Sequence, residues 1–179
     1  MDAIEAIMTR RSIRLYADTP IDDGTIETLL RAGMQAPSAR NAQPWHFLVI
    51  TDRAILSAIR RFHPYSDMLA TAAAAILICG DPGLEEDLEY INQDCTAATE
   101  NILLAAHALG LGAVWLGIYP REKRIVEIRR LLDIPGRIVP VSLIALGYPA
   151  ESAAPVDRYQ PQRVYRNRWG NLRRRDLKV

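Results

Sequence analysis

Apolar residues along this chain recur with two periods, one near 3.6 residues and one of 2, and segments of the two kinds alternate from end to end. Ile4, Ile7 and Met8 predict a short first helix that stops at a group of arginines. Asp22 or Asp23 is placed to cap a second helix, in which Ile26, Leu29, Leu30 and Met34 repeat at helical spacing. Residues 46–51 read as a strand, 54–61 as a helix, and 75–79 as a buried strand of unbroken apolar residues. The longest helical pattern covers residues 88–109, with Ile91, Cys95, Ala98, Ile102 and Leu109 along one face and Gly110 just past its end. Residues 113–116 then read as a strand, 122–132 as a helix with Ile125, Ile128 and Leu132 inward, and 137–148 as a long strand. Pro140 has no N–H to give a ladder, which predicts an edge or irregular position at the start of that strand. No repeat, long linker or low-complexity tract interrupts the pattern. It predicts a single domain over residues 1–179, an α+β fold with helices around a sheet that holds antiparallel and parallel pairs.

Composition narrows the class. With 49% hydrophobic residues, 24% charged residues and a formal net charge of +1, a chain of 179 residues buries a sizeable core and is not disordered. The most apolar run, residues 68–79, is too short to span a bilayer. The N-terminus lacks the pattern of a cleaved signal, so the expected location is cytoplasmic, with no membrane partner. Cys79 and Cys95 are too far apart for a zinc ribbon or a CxxC redox pair and read as buried small side chains in a reducing compartment, with no metal site.

The candidate chemistry sits in two segments. Residues 10–14, Arg-Arg-Ser-Ile-Arg, would point Arg10, Ser12 and Arg14 the same way if extended, which suits one phosphate or other dianion. Taken alone, these cations also fit a solvated helix end. Residues 36–47, Ala-Pro-Ser-Ala-Arg-Asn-Ala-Gln-Pro-Trp-His-Phe, set Asn41 and Gln43 two apart, and their amides can donate to and accept from the edge of a heterocycle. Together the segments describe a site for a nucleotide-like cofactor. Gly110-Leu111-Gly112 is not a dinucleotide fingerprint, because it closes a helix and opens a strand, the reverse of a Rossmann loop. There is also no P-loop, HExxH, GxSxG or carboxylate pair at acid/base spacing. Trp115 ends an apolar strand and reads as core, and His107 as a helix residue. His63 and Tyr65 lie in a loop where they line a substrate pocket or simply pack.

These two segments, the helix from Asp94-Cys95 through Asn101 to Gly112, and the strand end Ala-Leu-Gly-Tyr-Pro at 145–149 with its Arg-rich tail occur in the order and at the spacing of the FMN-dependent nitroreductases, which the chain resembles from Ala3 to Trp169. The resemblance implies a nitroreductase-like α-β sandwich with a mixed, mainly antiparallel sheet and a homodimer in which the C-terminal arm, residues 157–179, is exchanged. It implies FMN as cofactor and NAD(P)H as co-substrate, with electrons passed by a ping-pong mechanism to a small electron-poor acceptor such as a nitroaromatic or quinone. Arg10, Ser12 and Arg158 would hold the FMN phosphate, supported by Arg11, with Arg163 a second basic candidate. Arg14 would face the pyrimidine side of the ring, where a fixed cation stabilises negative charge. Pro37, Ser38, Asn41 and Gln43 would reach the flavin from the other subunit. Leu116 and Gly117 would pass backbone over the ring and offer an N–H near N5, and the Ala97–Ala105 stretch would form the central dimer contact. No side chain is implied as catalytic, since the flavin carries the chemistry. Ala39 and Val156 depart from the family pattern, which often has a hydroxyl and a second basic residue there.

The tail carries eight basic side chains against two acidic ones, a composition that also suits nucleic acid. The interleaved Tyr159, Val164, Tyr165 and Trp169 favour an arm packed on a neighbour, and the near-neutral whole argues against a nucleic-acid partner. Arg173, Arg174 and Arg175 read as a solvated end. A module that stores or delivers FMN without turnover would share the binding residues and is the alternative.

Overall fold

The computed structural model describes residues 1–172. In chain order the elements are α1 (Ala3–Thr9), α2 (Asp23–Met34), β1 (Trp45–Ile50), α3 (Arg53–Arg60), β2 (Ala74–Gly80), α4 (Leu88–Ala108), β3 (Gly112–Gly117), α5 (Glu122–Leu131) and β4 (Val139–Gly147). Aspartates cap four of the helices: Asp2, Asp22, Asp52 and Asp87 each accept N–H bonds from the first turn of α1, α2, α3 and α4. Helix α4 ends in a Schellman motif, with Leu111 N–H on Ala106 O at 2.8 Å, Gly110 N–H on His107 O at 3.0 Å, and Gly110 at φ +79°.

The strands form one sheet in the order β1-β2-β4-β3, and every ladder in it is antiparallel. The parallel pairing expected from sequence is reduced to an isolated bridge between Ser12 and Ala113. The two-residue period sorts the strand side chains to two faces. Ala75, Leu77, Val114, Leu116, Leu143 and Ala145 meet Leu56 and Ile59 of α3 and Ile125 and Ile128 of α5. Ala74, Ile76, Ile78, Ala113, Ile144 and Leu146 meet Ile26 and Leu29 of α2 and Ile91, Cys95, Ala98 and Ile102 of α4. The result is an α+β sandwich with α2 and α4 on one side of the sheet and α3 and α5 on the other.

Strand β4 is interior, which corrects the edge position that Pro140 suggested. Its irregularity is real. Ile78 pairs with Ser142 and Cys79 with Pro140, so Val141 is an extra residue in the ladder. The bulge interrupts pairing beside Pro140, where the missing N–H costs least.

Candidate active site

Helix α1 stops at Arg10, and the chain then runs extended across the end of the sheet. Ile13 N–H donates to Ala113 O at 3.0 Å. Close approach is possible because Gly112 and Gly147, a cross-strand pair, lie beneath this segment. A Cβ on Gly112 would stand 2.7 Å from the Ile13 side chain, and one on Gly147 2.7 Å from Tyr16. Ile13 and Tyr16 turn inward, the Tyr16 hydroxyl donating to Ile13 O at 2.7 Å, and burial pushes its pKa well above the ordinary phenol value. Alternation about Ile13 turns Ser12 and Arg14 outward, and both are exposed.

The three arginines have different surroundings. Arg10 is half-buried, its Nε 3.4 Å from Glu100 on α4. Arg11 directs its guanidinium to carbonyls: Ala154 O at 3.1 Å, Val156 O at 3.3 Å and Arg10 O at 2.5 Å. It thus straps the start of the C-terminal arm against the arginine segment, which places Arg158 only about 7 Å of extended chain beyond Val156. The backbone N–H groups of Arg14 and Leu15 donate to Glu151 at 2.5 and 3.2 Å. Behind them Thr9 donates its proton to Glu5 O, so His107 Nε2 donates to the Thr9 hydroxyl at 2.8 Å. Burial, with the Arg10 and Arg11 cations nearby, lowers the His107 pKa.

The amide loop is a strained turn. Arg40, Asn41 and Gln43 have φ of +53°, +58° and +48°, a region side-chain-bearing residues seldom occupy. The surroundings enforce it. Ala39 N–H donates to Asp94 Oδ1 of α4 at 3.0 Å, Gln43 N–H to Ser38 Oγ at 3.0 Å, and Asn41 N–H to Ser38 O at 3.1 Å. Arg40 Nη2 reaches both oxygens of the buried Glu85 carboxylate at 2.7 and 2.6 Å, and its guanidinium lies over the Tyr90 ring. The Arg40 hydrogen bonds hold the Glu85 carboxyl below its usual pKa. Pro37, Asn41 and Gln43 are exposed, Ser38 half-buried. Glu85 escaped the sequence reading, and Asp94 entered it only as the start of a matching block, without a role; the signals were an acidic triplet before α4 and a carboxylate on the buried face of that helix. Asp94 Oδ2 is buried without a hydrogen-bond partner among the described residues.

The third piece is the end of β3. Leu116 is buried on the α3 and α5 face of the sheet, whereas a Cβ added to Gly117 would meet no atom of the other described residues within 4 Å, so the backbone there is open to a flat group. Gly117 O accepts from Arg124 Nη1 at 2.6 Å and lies 3.1 Å from His63 Nε2. His63 is only 2% exposed and faces inward, and burial lowers its pKa; Tyr65 is 71% exposed, with Arg124 5.7 Å from its ring centroid. Trp115 is half-buried on the α4 side of the sheet.

Helix α4 carries contacts to both polar segments, through Asp94 to the amide loop and Glu100 to Arg10. These positions are about 9 Å apart along the axis and about 120° apart around it, so the two segments sit on different flanks of the helix. Two clefts of about 530 and 500 Å³ lie elsewhere, one lined by Tyr16, Thr19 and Arg53 and the other by Arg61, Phe62 and Lys123. Along the arm Arg158 and Arg163 are exposed, Trp169 is 89% exposed, and its ring centroid is 4.6 Å from that of Tyr165. Arg173, Arg174 and Arg175 lie outside the described residues. No group of three or more His, Cys, Asp or Glu among the described residues is arranged to hold a metal.

Cations and a hydroxyl facing outward at one end of β3, an open glycine at its other end and an exposed pair of amides make a donor set that fits an anionic, planar cofactor. The comparisons with known proteins agree with this geometry. The model of the Nitroreductase family matches residues 7–63 and 59–148. A Methanothermobacter thermautotrophicus protein with the provisional name NADH dehydrogenase/NAD(P)H nitroreductase is 48% identical over 169 residues, spanning 94% of this chain and 88% of its own length. The crystal structure of a Parabacteroides distasonis protein with the same provisional name superposes with a TM-score of 0.90 at 40% identity, covering 93% of this chain and 98% of its own. A Desulfovibrio desulfuricans structure, provisionally described as a nitroreductase in complex with FMN, superposes at 0.78 with 35% identity over 89% of this chain and 92% of its own. A family match that takes in the arginine segment, the amide loop and the end of β3 makes this chain a member of the nitroreductase family.

Proposed function

We propose that this protein is an NAD(P)H-dependent FMN oxidoreductase that reduces a small electron-poor acceptor, a nitroaromatic, quinone or similar compound, by a ping-pong mechanism. The observation that carries the reading is the outer edge of β3. Ser12 bridges Ala113 at one end of it, and Gly117 lies open four residues, or about 13 Å, away. FMN, when bound, would supply the redox chemistry that links NAD(P)H to the acceptor.

The chain's own residues bind and orient. Arg10 and Arg158 would neutralise the phosphate end and Ser12 would donate a hydrogen bond to it, while Arg11 holds the arm in place through Ala154 and Val156. Arg14 provides a fixed cation near the ring, where negative charge on the reduced cofactor is stabilised electrostatically. Ser38, Asn41 and Gln43 offer hydrogen bonds from a loop already locked by Glu85 and Asp94, so little ordering entropy is lost on binding. Leu116 and Gly117 supply the backbone that faces the ring.

A homodimer completes the site in this reading, with the amide loop contributed by the partner and residues 157–179 exchanged as an arm on the single domain. Three features support it: the two polar segments lie on different flanks of α4, Ile4, Ile7 and Met8 of α1 are exposed, and Trp169, though it meets Tyr165, leaves most of its ring exposed. Cys79 and Cys95 are free and buried, in keeping with a reducing cytoplasm, and no helix among the described residues is long and apolar enough to cross a membrane.

The test is the absorbance of purified protein between about 300 and 550 nm, before and after anaerobic NADH and then NADPH. Flavin bands that bleach and then return with a nitroaromatic or quinone are the expected result. Bands that persist with both nucleotides would replace turnover by storage or delivery of FMN, and a colourless protein that takes up no added FMN would remove the cofactor from the reading.

A further inference from the structure

We infer that His63 and Arg124 are positioning residues that lock the Gly117 peptide in the orientation the cofactor requires; the inference rests on the oxidoreductase reading above. Glycine has the freest backbone of any residue, so a glycine that must present one N–H in one direction needs its peptides held from outside. The peptide following Gly117 is held on both sides. Its carbonyl takes Arg124 Nη1 at 2.6 Å and His63 Nε2 at 3.1 Å, while its N–H, that of Ile118, donates to Val141 O at 3.1 Å. With Ile118 N–H turned toward β4, the alternation of an antiparallel pair turns Gly117 N–H to the outer edge, the side on which Ile13 N–H meets Ala113 O. That outward N–H belongs to the preceding Leu116–Gly117 peptide; fixing the peptide after it removes the freedom on the other side of Gly117, so that the N–H would keep facing the flavin ring.

The tautomer of His63 follows from its neighbours. Tyr65 N–H points at Nδ1 from 3.3 Å, so Nδ1 is the acceptor, and Nε2 carries the proton and donates it to Gly117 O. The ring is fixed further by its own backbone, since His63 O accepts from the buried Ser66 hydroxyl at 2.7 Å. Arg124 adds a permanent cation to the same carbonyl and also lies against the exposed Tyr65 ring. Residues 63–66, the first turn of α5 and the end of β3 are therefore tied together. His63 acts through Gly117 and does not touch the acceptor.

Two substitutions separate this role from simple packing. His63→Gln keeps an N–H donor close to the position of Nε2, and His63→Phe keeps the ring volume without a donor. The readouts are the neutral tautomer by ¹⁵N–¹H correlation NMR, FMN affinity by flavin fluorescence quenching, and the midpoint potential of the bound flavin, with the thermal midpoint as control. The expected result is an Nε2-protonated ring at neutral pH. The Phe variant should bind FMN about tenfold more weakly, the worth of one lost hydrogen bond, with a shifted potential, and the Gln variant should restore both. A Phe variant that binds FMN with wild-type affinity and potential, or a ring protonated on Nδ1, would overturn the positioning role alone. Wild-type protein that takes up no FMN would overturn the oxidoreductase reading first and this role with it.

Discussion

At the scale of single residues, Gly117 is the most informative position. An alanine methyl there would meet no atom of the other described residues within 4 Å and removes backbone freedom from the unfolded chain, so Gly117→Ala should leave the thermal midpoint unchanged or slightly raised. The same methyl would project into the space assigned to the flavin ring, and FMN affinity should fall by about tenfold or more, roughly the cost of displacing a packed contact. Circular dichroism melting and a fluorescence titration on one sample measure both effects, and a variant that melts normally and binds normally would move the ring elsewhere. Residues of this kind were partly legible in the sequence. Arg10, Ser12 and Arg14 stood out because alternation and charge coincide within five residues, and Asn41 and Gln43 because two amides flank a turn. Glu85 and Asp94 did not, because they act on loop groups 45 and 55 positions away, and no local pattern encodes that distance. His63 was visible as a candidate, yet its burial and its bond to Gly117 depend on tertiary contacts alone.

At the scale of elements, periodicity located each helix and strand to within a residue or two, since every strand of this sheet has one face toward α2 and α4 and the other toward α3 and α5. Strand order was not available from the same signal. Pro140 reads locally as an edge residue, and only the bulge at Val141 reconciles it with an interior strand. The 63–66 loop gives a pH dependence of its own. Burial, the dominant cause, and then the Arg124 cation lower the folded-state pKa of His63, while its backbone bonds oppose the shift. An unfolded chain would take up the proton near the ordinary value of 6.5, so the stabilisation from neutral His63 is complete above that pH and is lost as pH falls through the lower folded-state value. A protonated ring would also turn an Nδ1–H against Tyr65 N–H. Thermal midpoints should therefore fall as pH drops from 7.5 toward 5, and His63→Gln should flatten the His63 share of that decline, the rest including His107, whose pKa is also lowered. Equal slopes for the two proteins would remove His63 from the account.

At the scale of the whole molecule, the exposed apolar side chains of α1 belong to no core of the single chain, and the homodimer reading gives them a partner. Ile7→Glu should leave the isolated fold intact, because Ile7 is 55% exposed, and should shift the protein from dimer to monomer in sedimentation while reducing FMN uptake. A variant that sediments like the wild type would place the interface elsewhere. Strand β3, finally, is the last strand of the sheet on its side, and an unpaired strand invites runaway pairing with other molecules. Here the segment after α1 occupies Ala113 O and the His63 and Arg124 side chains occupy Gly117 O, so among the described residues the backbone left outward beyond Ala113 on β3 is that of Trp115 and the N–H of Gly117. A foreign strand finds a foothold no longer than residues 115–117, short for edge-to-edge pairing. The contacts that shape the proposed cofactor edge thereby also shorten the stretch of β3 open to another strand.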